Sequence, residues 1–207
     1  MRKIRFIFTM IALIVIGAAL IVLGSKQSSS LSKDAIDLYD PDVNWSDIKV
    51  GDHIEMDIPI LLDCYARYEK DGKDTQRFYC LPYYDQDAIE ITNFIGVDVN
   101  NTSLFAQYDA LVSDTFDWWN TPDLDLPDVE TIHIDGIVQE MTQEQYEYHA
   151  EYLTDDLGYT EDEIEDTLYK YYIRPADKGE SKILVIVGVI CLLIGIGGTA
   201  LTVVKKR

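Results

Sequence analysis

Uncharged, mainly apolar residues fill two stretches near the ends of the chain, 6–24 and 183–204. Between them, apolar and polar positions alternate as in strands or recur with helical spacing. A helix needs about 20 apolar residues to cross roughly 30 Å of hydrocarbon, so each stretch is expected to be a transmembrane helix. In the middle, 53–68 is rich in Ile, Leu and Tyr and reads as one long strand or two short ones broken near Pro59. Asp71-Gly72 has the chemistry of a tight turn, with strands expected over 76–84 and 88–99. Helical spacing takes over across 102–119, with Leu104, Tyr108, Leu111, Thr115 and Trp119 on one stripe. Pro122 and Pro127 mark a connector, and 129–140 returns to strand character. Thr142 with Gln145, and Thr160 with Glu163, fit the S/T-x-x-E/Q capping box that opens a helix. The first helix carries a stripe of Tyr146, Ala150, Leu153 and Leu157 and ends at Gly158; a last strand is expected over 168–173. The fold class implied is α+β: a small, mainly antiparallel sheet with helices on one side, flanked by two transmembrane helices.

Charge adds orientation. Arg2, Lys3 and Arg5 precede the first stretch and Lys205, Lys206 and Arg207 follow the second. Lys and Arg flanking a span tend to stay cytoplasmic, so both termini are expected in the cytoplasm of a cell-membrane protein and 25–182 outside it. The organisation expected is an anchor over 1–24, a linker over 25–34, an extracytoplasmic domain over 35–174, a linker over 175–182, and a second span with its basic tail over 183–207. Residues 25–182 hold all 37 Asp and Glu but 11 of the 17 Lys and Arg, a net charge of −26. That sign excludes nucleic acid as a partner of the domain, because phosphate binding needs Lys and Arg. The alternative topology is a cleaved secretory signal with one C-terminal anchor. A signal's apolar core usually runs 7–15 residues, against 19 here, which favours a retained anchor.

The segment Val50-Gly51-Asp52-His53-Ile54-Glu55-Met56-Asp57-Ile58 resembles, with Leu62-Asp63-Cys64-Tyr65-Ala66 and Arg77-Phe78-Tyr79-Cys80-Leu81-Pro82, a group of two-span membrane proteins from Gram-positive bacteria. Gly136-Ile137-Val138-Gln139-Glu140-Met141 and the stretch on to Tyr171-Tyr172-Ile173 are similar to the same group. The resemblance implies the architecture and a bacterial origin, and brings no activity, cofactor or catalytic residue with it.

Candidate sites are few. Small residues recur seven apart, Gly17 and Gly24 in the first span, Gly188, Gly195 and Thr202 in the second. Seven residues is about two helical turns, so each set lines one face along which the spans could pack as a hairpin; the alternative is the ordinary abundance of Gly in membrane helices. If the hairpin reverses at Gly72, positions whose numbers sum to 144 face each other, which makes Cys64 and Cys80 a candidate disulfide. The other reading is two buried thiols, since a register change of one residue puts them on opposite faces. No metal site is indicated. Asp40, Asp42 and Asn44, and Asp123 with Asp125, begin like calcium loops but lack the Gly at position 6 and Glu at position 12. His53, His133 and His149 stand apart in sequence with no zinc-ligand spacing. GxSxG and Gly-rich phosphate loops are missing from the sequence, and no cofactor is expected. Fourteen tyrosines and Trp118-Trp119 suit either core packing or a binding surface. The reading that results is a non-catalytic interaction module in the cell envelope. Its partners would be the lipid bilayer and an envelope protein or cell-wall component; the alternative is an envelope hydrolase built from scattered acids and histidines.

Overall fold

A computed structural model describes residues 2–85, 90–120, 130–176 and 178–204. The expected strand at 88–99 begins, and the connector at Pro122 and Pro127 falls, outside the described residues. The chain divides into two compact units, 1–33 with 176–207, and 34–175.

The first unit is a pair of helices, α1 (Arg2–Ser30) and α5 (Lys178–Val204). Both are long and apolar enough to cross a membrane. Their apolar side chains are largely uncovered, Phe8, Val15 and Leu193 being more than 60% exposed. A soluble core would bury them. The segments expected as flexible linkers are partly helical: α1 runs through Ser30, and α5 begins at Lys178. Within this unit the helices approach closely at glycines. A Cβ on Gly17 would lie 2.7 Å from the Gly188 carbonyl oxygen, one on Gly24 2.7 Å from that of Ser181, and one on Gly195 2.9 Å from that of Met10. Real Cβ atoms do not come so near backbone oxygen, so the small-residue faces are where the backbones meet. Thr202 lies in α5. Replacing Gly188 and Gly195 together with Leu is expected to abolish most disulfide crosslinking between cysteines placed on the two helices; unchanged crosslinking in membranes would refute this packing.

The second unit is an α+β domain on a six-stranded mixed sheet. Its strands are β1 (His53–Ile58), β2 (Cys64–Lys70), β3 (Lys73–Asp85), β4 (Glu90–Val99), β5 (Ile132–Glu140) and β6 (Leu168–Pro175). They lie in the order β1-β5-β6-β4-β3-β2, antiparallel throughout except for the parallel pair β4–β6. Pro59 ends β1, as the sequence suggests. Asp71 and Gly72 both take positive φ, 53° and 74°, the requirement of the two-residue hairpin turn between β2 and β3. The helices are α2 (Phe105–Trp119), α3 (Gln143–Asp155) and α4 (Glu161–Thr167). Thr142 and Thr160 each form the full capping box.

Helices cover both faces of the sheet, where the sequence suggested one. Tyr79, Ile95 and Val97 pack with Phe105, Tyr108 and Leu111 of α2. Cys80 and Phe94 pack on the opposite face with Leu153 of α3 and Ile164 of α4. Adjacent strand residues point to opposite sides, so the unbroken run Phe78-Tyr79-Cys80-Leu81, buried throughout, needs cover on both. Asp98 on β4 is fully buried; it accepts hydrogen bonds from Gln76 Nε2 at 2.6 Å and Arg174 Nε at 2.7 Å.

Candidate functional site

A concave feature of the domain follows β2, the last strand of the sheet, and α3 beside it. At one end is a cleft of about 550 Å³ lined by Ile91, Phe94, Phe116, Trp119, Tyr152 and Tyr159, with Asp63 and Asp156 at its wall. Volumes of roughly 300–1,000 Å³, apolar with a few polar groups, are typical of binding pockets. The cleft shares Asp63, Tyr152 and Asp156 with a shallower depression that adds Tyr65 and Tyr148. That depression in turn shares Cys64, Tyr65 and Tyr148 with a third one reaching Tyr68 and Glu144. The three make one continuous groove.

Local sequence builds each wall. On α3 the buried stripe is Gln145, His149 and Leu153, one residue earlier in the turn than the expected Tyr146, Ala150, Leu153 and Leu157. The offset leaves Tyr148 and Leu157 exposed along the groove. On α2 the stripe buries Phe105, Tyr108, Leu111 and Thr115. Trp119, expected on that stripe, is instead 58% exposed and, with Phe116, lines the cleft. Among the described residues the domain exposes six large apolar side chains: Val50, Tyr68, Phe116, Trp119, Tyr148 and Leu157. Five of them line the groove, an accumulation that marks binding surfaces rather than scattered surface apolar residues.

The groove is also acidic. Asp63, Glu144, Glu151, Asp155 and Asp156 line it, against Arg67. Asp155 and Asp156 stand at the C-terminal end of α3, whose last turn holds no basic residue. A helix C-terminus carries partial negative charge and disfavours carboxylates. The local potential is therefore more negative than the charge count suggests, and a cation brought there relieves it.

The floor carries an unusual pair. Tyr65 stacks on His149 with ring centroids 4.0 Å apart and planes 8° from parallel. Both ring nitrogens of His149 and the Tyr65 hydroxyl are buried without a hydrogen-bond partner. Burial lowers the His149 pKa to about 3 and raises that of Tyr65 well above its usual value. Tyr65 fits over the sheet because Gly96 lies beneath it: a Cβ there would be 2.7 Å from the Tyr65 hydroxyl.

Cys64 and Cys80 do not face each other. The sum of 144 holds from Ala66↔Phe78 to Tyr68↔Gln76, but a bulge at Tyr65 pairs Cys64 with Tyr79. Both thiols are free. Cys64 packs against the cluster that holds Tyr79, and Cys80 belongs to the one on the opposite face. Burial raises the pKa of both. At the far edge of the sheet, His53 and His133, distant in sequence, come together with acids of β1 and β5. His53, Glu55 and Asp135 place ligand atoms within 4.8 Å of one another. This cluster escaped the sequence reading; its signal is the alternation His-x-Glu-x-Asp at 53–57 and His-x-Asp at 133–135.

A family described as "Domain of unknown function (DUF8577)" matches residues 1–204. The chain belongs to this family. No curated protein and no solved structure matches it. DUF8577 in this chain thus takes in both apolar helices and the domain between them.

Proposed function

We propose that the chain is a membrane-anchored, non-catalytic binding module whose domain, held outside the cell membrane with both termini in the cytoplasm, captures an extended cationic segment of another envelope protein. The observation that supports this best is the gathering of five of six exposed large apolar side chains along one acid-lined groove. β2 ends the strand order, and an edge strand offers backbone groups to an added extended peptide. Tyr and Trp faces accept apolar groups and cations alike, and the carboxylates select for Lys and Arg. His149, the histidine under the floor, is sealed beneath Tyr65, which favours binding over acid–base chemistry in the groove.

The test is fluorescence anisotropy with the full-length chain in nanodiscs and labelled decapeptides alternating Lys with Leu or Glu with Leu. Binding is expected for the Lys peptide and not for the Glu peptide. Trp119→Ala and Asp156→Asn should each weaken it about tenfold, the loss of roughly 1.4 kcal/mol. Binding of both peptides alike, or binding indifferent to both substitutions, would overturn the proposal. Capture of glycan fragments instead would point to a cell-wall component and also overturn it.

A further inference from the structure

We propose that β1 and β5 carry a site for a divalent transition-metal ion of zinc character, with His53, Glu55, His133 and Asp135 as ligands and Asp57 orienting His133. Odd-numbered residues of both strands share one face, because Ile54, Met56, Ile132 and Ile134 fill the core on the other. The register sets Glu55 directly against Asp135 and Asp57 against His133. The Glu55 amide points away from β5 and donates to the Ile36 carbonyl at 3.1 Å. Glu55 and Asp135 are therefore a non-hydrogen-bonded pair, the kind whose side chains lie closest. Two carboxylates so opposed destabilise a ladder unless a cation sits with them. His53 and His133 flank the pair at its two diagonal corners.

His53, Glu55 and Asp135 already place ligand atoms within 4.8 Å of one another; His133 lies outside that group and must move closer to complete the set. His53 Nε2 is 2.8 Å from Asp135 Oδ1, and His133 Nε2 is 3.9 Å from Glu55 Oε1. Around a tetrahedral zinc with bonds near 2.0–2.1 Å, neighbouring donors stand roughly 3.3 Å apart, so binding must part His53 and Asp135 slightly and draw His133 toward Glu55. His133 is already aimed. Its Nδ1 is 2.9 Å from Asp57 Oδ1, so an Nδ1–H donated to that carboxylate leaves the Nε2 lone pair turned to Glu55. This carboxylate–histidine–metal relay is the usual means of fixing a metal-bound imidazole. Two imidazoles with two carboxylates favour zinc-like ions over calcium and magnesium, which prefer all-oxygen sets. Four protein donors close the site to substrate. Its role is then structural: the ion pins edge strand β1 to β5.

Tag-free full-length chain in detergent, stripped with a chelator, is titrated with zinc sulfate against a chromophoric competitor. One zinc per chain is expected, with a higher unfolding temperature in its presence and no displacement by excess calcium. Glu55→Gln and His133→Gln alter half-exposed or exposed side chains that the fold does not need. Each should weaken zinc binding at least about tenfold, whereas Asp40→Asn should not change it. No stoichiometric zinc, displacement by calcium, or affinity untouched by both substitutions would overturn the site.

Discussion

Replacing His149 with Phe should flatten the loss of stability that the protein suffers in acid. The folded-state pKa of about 3 lies below the ordinary 6.5, and burial is the cause. Between those values the unfolded chain binds a proton that the folded chain refuses. Stability therefore falls as pH drops through 6.5, by up to about 1.4 kcal/mol per pH unit, and stops falling near the folded pKa. At pH 4.5 the contribution is a loss of roughly 2–3 kcal/mol relative to pH 7. The domain's carboxylates titrate in the same range, so the informative quantity is the difference between wild type and variant. Phe keeps the stacking on Tyr65 and removes two unpartnered nitrogens, whose burial itself costs free energy. Urea unfolding at pH 7 should show the variant equal or more stable, with its advantage growing toward pH 4.5. Parallel pH profiles would show that the imidazole is not sealed as described.

Arg174→Met should destabilise the domain by about 3–5 kcal/mol, the usual cost of leaving one partner of a buried ion pair alone. Asp98 has no exposed surface, and Arg174 bonds it through Nε and Nη2. Without the guanidinium, the carboxylate keeps the Gln76 amide, a single neutral donor. For a domain of this size the thermal midpoint should drop by roughly 10 °C or more. Adding Asp98→Asn to Arg174→Met removes the stranded charge and should recover much of the loss, since a neutral replacement of both partners can be close to neutral in effect. Near-ultraviolet circular dichroism melts decide it: a single variant within about 1 kcal/mol of wild type contradicts the account.

Most elements of the fold are legible in the residues because their signals are local. The Asp71-Gly72 turn, the two capping boxes and the break at Pro59 each depend on neighbours within a few positions. The faces are harder. Helical spacing on α3 admits Tyr146-Ala150 or Gln145-His149 as the inner stripe, and sheet contacts choose the second, burying a histidine and exposing Tyr148. Trp119 continues the α2 stripe in sequence yet lies at the helix end, past the cover of the sheet. The one-residue bulge at Tyr65 is invisible in composition and decides which side Cys64 occupies. The groove joins residues from 62 to 159, and the histidine–carboxylate ladder joins positions some 80 apart, so both depend on strand pairing that no short window contains. The run Phe78-Tyr79-Cys80-Leu81 did hold a usable hint: a strand apolar on consecutive positions is covered on both sides.

The place of β6 has a consequence for assembly. β6 sits between β5 and β4, so until it arrives the sheet exists as two separate ribbons, β1-β5 and β4-β3-β2. It is also the last strand to be synthesised. The keystone of the arch thus enters after every other stone is cut, and the half-built ribbons must wait with open flanks. Long-range closure of this kind slows folding and prolongs exposure to misassociation. In cells the domain's demand for a holding factor should be greatest in the interval just before residue 168 emerges.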